Sequence, residues 1–197
     1  FWNRFNPSFR EAFSKIKKGE IGEVKYINAD FAFCANLQGE IGNRNIDINL
    51  GGGSLLDIGV YPLFLCYVVL GIPTEILAKA NFHQTGADLQ TSMILQYENA
   101  QAILHSSFVS TSNIKATING TKGRINLNTL WHEAQSYTLN VGDQEEEILL
   151  PTKGKGFTYE IEECPHCIND NSIDSTLWSH QNSLDLIKIV DQVRNQI

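Results

Sequence analysis

Cysteine and positive charge are in short supply in this chain of 197 residues. Four cysteines are too sparse for the disulfide framework of a small secreted domain, so free thiols and a cytoplasmic location are expected. Lys and Arg total 15 against 22 Asp and Glu, a formal charge of −7. That argues against nucleic acid as a main partner, because phosphate binding is carried by Lys and Arg. No uninterrupted apolar run reaches the ~18–20 residues of a membrane span, so no membrane partner is expected. The longest, residues 60–70, is too short and contains Pro62. There is no charged-then-apolar leader, internal repeat or low-complexity tract. The chain begins at Phe1 rather than Met and reads as a piece of something larger. What is present, 42% hydrophobic and 19% charged residues, describes a globular chain with enough material for a sizeable core.

Residues 7–18 predict a helix: Asn6 caps it, Pro7 opens it, and Phe9, Phe13 and Ile16 recur at helical spacing. A basic last turn and Gly19 close it. Near-alternating Val24, Tyr26, Ile27, Phe31 and Phe33 predict a strand over residues 23–34. Residues 36–50 are polar and rich in Gly and Asn, a long loop of the kind that is often functional. Three glycines, Gly51, Gly52 and Gly53, then lead an apolar stretch to Leu70, stopped by Gly71-Ile72-Pro73. Between residues 75 and 150 come seven short strand-like segments with turn signals such as Asn119-Gly120 and Gly142-Asp143. Two helical patterns follow, over 159–169 and 179–196, the second with Leu184, Ile187, Val190 and Val193 on one face. This order predicts an α+β fold in one domain: an open, mostly antiparallel sheet of about six strands with helices on one face.

The segment Gly51-Gly52-Gly53-Ser54-Leu55-Leu56-Asp57-Ile58-Gly59-Val60-Tyr61-Pro62 carries the most chemical information. Asp57 and Tyr61 are four apart, so on a helical turn they share a face. A polar pair inside an apolar run needs partners if buried. One reading is an acid/base site at a helix start. The other is a capping Asp and a Tyr packed by its ring with its hydroxyl satisfied.

That stretch closely resembles the opening of the main helix in the C-terminal domain of the glucose–fructose oxidoreductase / inositol dehydrogenase (Gfo/Idh/MocA) family. Trp2-Asn3-Arg4-Phe5-Asn6-Pro7, Gly19-Glu20-Ile21-Gly22-Glu23-Val24, the helix at Tyr159-Glu160 and the C-terminal helix fit the same family in order. The Trp-x-Arg-Phe and Asp-x-x-x-Tyr choices are most similar to its dihydrodiol dehydrogenase-like branch. The family's other half is a nucleotide-binding Rossmann domain with a glycine fingerprint and a Glu-Lys-Pro segment, and neither occurs here.

The resemblance therefore implies that residues 1–197 are the substrate-binding and dimerisation domain of a two-domain NAD- or NADP-dependent oxidoreductase, inactive without its other half. It implies hydride transfer to or from the carbinol of a small-molecule sugar, cyclitol or diol, with Tyr61 as acid/base and Asp57 orienting the lysine of the absent half. By similarity, Trp2 and Arg4 would meet the cofactor at the domain seam. Phe31 or Phe33, Trp131 and Phe157 would wall the substrate site, though aromatic core packing explains these residues equally well. Arg44 could reach substrate or a neighbouring subunit, or be a solvated loop arginine. A homodimer through the open sheet face is implied. A stand-alone binding or dimerisation module without redox role is the competing reading.

Cys164-Pro165-His166-Cys167 looks like half a metal site. Zinc needs about four ligands, no second pair follows, and no metal is expected. His83, His105 and His132 share no spacing and read as structural, and Glu145-Glu146-Glu147 as a solvated turn.

Overall fold

A computed structural model describes residues 1–38 and 43–197. The tip of the long polar loop, residues 39–42, lies outside the described residues. Trp2–Phe5 forms a 3-10 turn that runs into α1 (Pro7–Lys17). Strand β1 (Val24–Ala32) follows, then a π turn over Leu55–Gly59 continuing into α2 (Val60–Leu70). Seven strands come next: β2 (Glu75–Phe82), β3 (Asp88–Gln96), β4 (Gln101–Ser107), β5 (Ala116–Gly120), β6 (Gly123–Leu127), β7 (Ser136–Val141) and β8 (Gln144–Leu149). Helices α3 (Thr158–Asn169) and α4 (His180–Arg194) end the chain.

All strands join one sheet in the order β2-β3-β4-β1-β5-β6-β7-β8. Among the described residues, only the β1–β4 pairing is parallel. The fold is α+β as expected, with eight strands rather than about six, because every strand-like segment pairs. The parallel contact arises from the chain's one long crossover. After β1 it passes through α2 and lays down the β2-β3-β4 meander, whose last strand returns beside β1.

One face of the sheet carries the core. Ile27, Met93, Leu95, Leu104, Ile118, Ile125, Leu127 and Tyr137 point there, under Phe9 of α1, Leu63–Cys66 of α2, and Leu186, Ile189, Val190 and Val193 of α4. In α4 the buried stripe is thus 186, 189, 190 and 193, while Leu184 and Ile187 are about half exposed. Two apolar stripes compete along that helix, and the one facing α2 is covered.

The other face is open. One row crosses all eight strands: Leu77, Ile94, Ile103, Asn28, Thr117, Asn126, Thr138 and Glu147. Its first third is apolar and half exposed, and the rest is polar.

By length and composition alone, Ile48–Leu70 would suit a membrane, at 23 residues and mean hydropathy 1.8. The chain breaks there at Gly51 (φ 76°) and Gly53 (φ 126°). More than half of the most apolar window is buried inside the fold, so this is a core helix with an irregular start.

That start is fixed from a distance. Asp88, at the head of β3, is buried, and its Oδ2 accepts from Ser54 Oγ (2.7 Å), Leu55 N–H (2.8 Å) and Thr91 Oγ1 (2.9 Å). Ser54 has spent its one hydroxyl proton on Asp88, so Ser106 Oγ donates to Ser54 Oγ at 3.0 Å. The carboxylate thereby satisfies helix-start donors that lack a partner within the helix. A Cβ on Gly53 would lie 2.2 Å from Asp88 Oδ1, so only glycine admits the carboxylate.

Asp88→Ala leaves three donors without their acceptor. It should cost on the order of 3 kcal/mol in urea unfolding. A loss below about 1 kcal/mol would show that the cluster does not hold the helix start.

Candidate active site

Tyr61 sits in the first turn of α2, immediately after the π turn. Single π turns inside longer helices re-aim the residues that follow, and they recur at functional sites. Here the phenol oxygen accepts a hydrogen bond from Trp2 Nε1–H at 3.1 Å. The Tyr61 ring is met edge-on by Phe1 at 5.2 Å, Phe31 at 5.6 Å and His132 at 5.8 Å. The residue is partly buried, with its ring framed by aromatic edges.

Burial pushes the Tyr61 phenol above the ordinary tyrosine value. The Trp2 hydrogen bond pulls it back, and the charges of Asp57, Glu160 and Glu133 raise it again. At neutral pH the group is therefore a protonated phenol. Trp2 occupies one side of the oxygen, leaving its proton free to donate elsewhere. To act as a base it needs a cation nearby.

Asp57 does not bond to Tyr61. Its carboxylate takes Arg44, with Nη2 to Oδ1 at 2.7 Å, and the guanidinium end is about two-thirds exposed. The π winding is the reason that the four-residue spacing does not pair the two side chains. An ion pair this exposed is worth about 0–1 kcal/mol, so Arg44 could yield its place to another cation at small cost.

The other aromatic residues fall in two ranks. Phe31 is buried and stacks on His132 at 4.2 Å with planes 24° apart. Phe157 is half exposed and lies 4.9 Å from the Trp2 ring. Phe33 packs edge-on against Phe108 and tilted against Phe31, one layer farther from Tyr61. Trp131 is fully buried, with its Nε1–H donated to the Asp30 carbonyl at 2.8 Å. It supports the wall from behind and has no surface to offer a ligand. Arg4 is outside this group, its guanidinium lying 5.0 Å from the centre of the Phe13 ring. The structure thus gathers Trp2, Phe31, Tyr61 and Phe157 and leaves Arg4 apart.

Sequence reasoning passed over His132. It follows the buried Trp131 in a short turn and stands between Phe31, Tyr61 and Trp2. Burial pushes its pKa down to about 4, so the ring is neutral at physiological pH. Its Nδ1 is shielded with no partner among the described residues, and its Nε2 is 3.7 Å from Glu133 Oε1. No spacing signal marked it, because its ring neighbours come from three separate segments.

Among the described residues, no group of three or more His, Cys, Asp or Glu side chains is placed to hold a metal ion. Cys164 and Cys167 lie on α3, whose residues are all at least partly exposed.

Residues 9–126 match the family model for the GFO/IDH/MocA C-terminal domain. The chain is 34% identical to the trans-1,2-dihydrobenzene-1,2-diol dehydrogenase of Xenopus tropicalis, the match covering 100% of this chain and 61% of the relative. It is 30% identical to the scyllo-inositol 2-dehydrogenase (NADP(+)) of Bacillus subtilis, covering 98% of this chain and 60% of that protein. The chain therefore spans about three-fifths of the length of these relatives. Among solved structures, the aldose–aldose oxidoreductase of Caulobacter crescentus superposes with a TM-score of 0.86 at 19% identity, over 100% of this chain and 60% of the other. A 3-ketoreductase of Actinomadura kijaniata, crystallised with TDP-benzene and NADP, gives 0.79 at 22%, over 100% and 59%. At those identities the superpositions speak for the fold alone.

A histidine buried neutral makes stability depend on pH. The unfolded chain takes up this proton near ~6.5, and the folded chain only near about 4. Between those values the unfolded state binds more protons, so stability is complete above the window and falls as pH drops through it. Urea unfolding from pH 7 to 4 should show a shallower decline for His132→Phe, which keeps the stack, than for the parent chain. Equal slopes would mean that the imidazole is not held neutral.

Proposed function

The chain belongs to the GFO/IDH/MocA family as a C-terminal domain, and from that premise we propose that residues 1–197 are the substrate-binding and dimerisation part of an NADP- or NAD-dependent oxidoreductase acting on a carbinol. The observation that carries this reading is Tyr61, partly buried among aromatic rings with its hydroxyl held from one side by Trp2. The relatives' names, a dihydrobenzene-diol dehydrogenase and a scyllo-inositol 2-dehydrogenase, support a diol or cyclitol as the substrate class, with sugars close to it chemically.

The residues present fit part of such a cofactor's needs. Trp2 and Phe157, partly and half exposed, offer apolar walls beside a proton donor, with Phe31 packed behind, which suits a nicotinamide ring and a small carbinol. No Gly-x-Gly-x-x-Gly segment for the pyrophosphate occurs in the sequence, so that part must be held by another portion of the protein, and the chain alone is inactive. When bound, the cofactor supplies or accepts the hydride.

Tyr61 handles the matching proton. In the reducing direction the neutral phenol donates to the carbonyl oxygen as it becomes the alcohol. In the oxidising direction the phenolate must form first. Burial and three carboxylates oppose that, so a lysine delivered by the nucleotide-binding half is required. Asp57 positions that lysine by exchanging it for Arg44. Trp2 fixes the direction of the phenol proton by occupying the other side of its oxygen. Trp131 holds the wall in place from behind.

The half-exposed row Leu77, Ile94 and Ile103 would be covered in a homodimer formed through the open face. The four cysteines, all free thiols, suit a cytoplasmic location.

Two measurements test this. In the full-length protein supplied with NADPH or NADH and a panel of diols, cyclitols and sugars, Tyr61→Phe should lower kcat by about 10²–10⁴. Turnover intact in that variant would remove Tyr61 as the proton donor. In light scattering at micromolar concentration the chain should run as a dimer, and Ile94→Lys with Ile103→Lys as a monomer. A monomeric parent chain would refute the open-face dimer.

A further inference from the structure

Arg4 and Lys17 both lie against the Phe13 ring, 5.0 Å and 4.8 Å from its centre. They line one hollow of about 300 Å³ between α1, the end of α2 and the segment entering α4, with Tyr67, Trp178 and Asn182 among the walls. Neither cation has an ion pair or hydrogen bond among the described residues. The hollow has no acidic lining residue, in a chain whose formal charge is −7.

Lys17 has an ordinary reason to be there, since a cation in the last turn of α1 is favoured by the helix dipole. Arg4 has none. Its guanidinium is half withdrawn from water, and burial and the neighbouring Arg10 both work against its charge. Its five donors form a fixed fork that matches a bidentate oxyanion.

We propose that this hollow binds a phosphate monoester, the oxyanion held between Arg4 and Lys17 and its organic group lying against Trp178 and Tyr67. Two separated cations match a group carrying about −1.5 to −2 charges at neutral pH. Guanidinium and phosphate pair through parallel charge-assisted hydrogen bonds. The volume exceeds a bare phosphate ion and sits at the small end of ligand pockets. The flat faces of Trp178 and Tyr67, 5.9 Å apart between centres and nearly perpendicular, provide apolar contact for the ester group. The hollow is separate from the Tyr61 site: Phe1 stands between them, 5.2 Å from Tyr61 and 5.9 Å from Trp178. The proposal does not rest on the oxidoreductase reading and needs no cofactor.

Calorimetric titration of the 197-residue chain with inorganic phosphate and with phenyl phosphate at low ionic strength tests it. One saturable site per chain is expected, with phenyl phosphate bound more tightly. Arg4→Gln and Lys17→Gln should each weaken binding about tenfold or more, while Lys18→Gln, one residue outside the hollow, should leave it unchanged. Should Arg4→Gln fail to fold, Lys17→Gln decides the matter, since Lys17 is exposed. Absence of saturable binding by either anion would overturn the proposal. So would a loss in Lys18→Gln equal to that in Lys17→Gln, which would mean diffuse attraction to a basic surface. Equal affinity for the two anions would overturn the part given to Trp178 and Tyr67.

Discussion

The buried carboxylate of Asp88 is the constraint on which the arrangement around Tyr61 depends. It belongs to β3, yet it terminates a helix more than thirty residues earlier by accepting from Ser54 and Leu55. The start of that helix is consequently set by the sheet and not by a local cap. Fixing the start fixes the rotation of everything after it. The π turn that follows adds a residue to one coil, which sends Asp57 toward Arg44 and Tyr61 toward Trp2. The small residue Gly59 lets the same turn approach β4, where a Cβ would meet Ser106 Oγ at 2.8 Å. Sheet, turn and phenol are thus one mechanical unit.

Electrostatics around the phenol run in one direction. Burial, Asp57, Glu160 and Glu133 all favour the protonated form, and only the Trp2 indole favours the anion. His132 adds no positive charge, because burial keeps it neutral. The phenol as it stands is protonated, and no positive charge lowers its pKa. A hydroxyl in such surroundings can serve reduction directly but serves oxidation only when a cation arrives. The exposed Asp57–Arg44 pair leaves a carboxylate ready to receive one.

Sequence and structure agree where local signals dominate. Pro7 and Gly19 bracket α1, Gly71 stops α2, and the turn dipeptides separate strands that do pair. Agreement weakens where a choice depends on what packs nearby. In α4, Leu184 and Ile187 offered as good a stripe as Leu186 and Ile189, and only the position of α2 decides between them. The Gly-rich stretch announced an unusual helix start, but the donors at that start are taken by Asp88, which nothing in the stretch points to. Asp57 and Tyr61 were legible as chemistry-bearing, yet their spacing suggested a shared face that the winding removes. Trp131 and His132 are adjacent in sequence and opposite in role: one is sealed against the Asp30 carbonyl, the other faces the phenol. A turn whose backbone conformation the sequence does not specify gives no means of telling them apart.

The short N-terminal turn shows why Trp2 and Arg4 part company. A 3-10 helix has three residues per turn, so positions two apart diverge by a third of a circle while positions three apart eclipse. Trp2 is therefore aimed at Tyr61 and Arg4 at Phe13. Asn3, on the remaining side, is buried, as is Asn6 at the cap that follows. Neither amide finds a protein partner among the described residues, and bridging water is the usual remedy for such groups. Two buried, unpaired amides, one in the turn and one at its cap, are expensive in so short a segment. A cheaper sequence would place apolar residues there, but the inward positions cannot be altered freely, since the same backbone sets the direction of the indole above the phenol. The turn's stability is subordinate to what it aims, and that is the signature of a segment shaped by the site it serves.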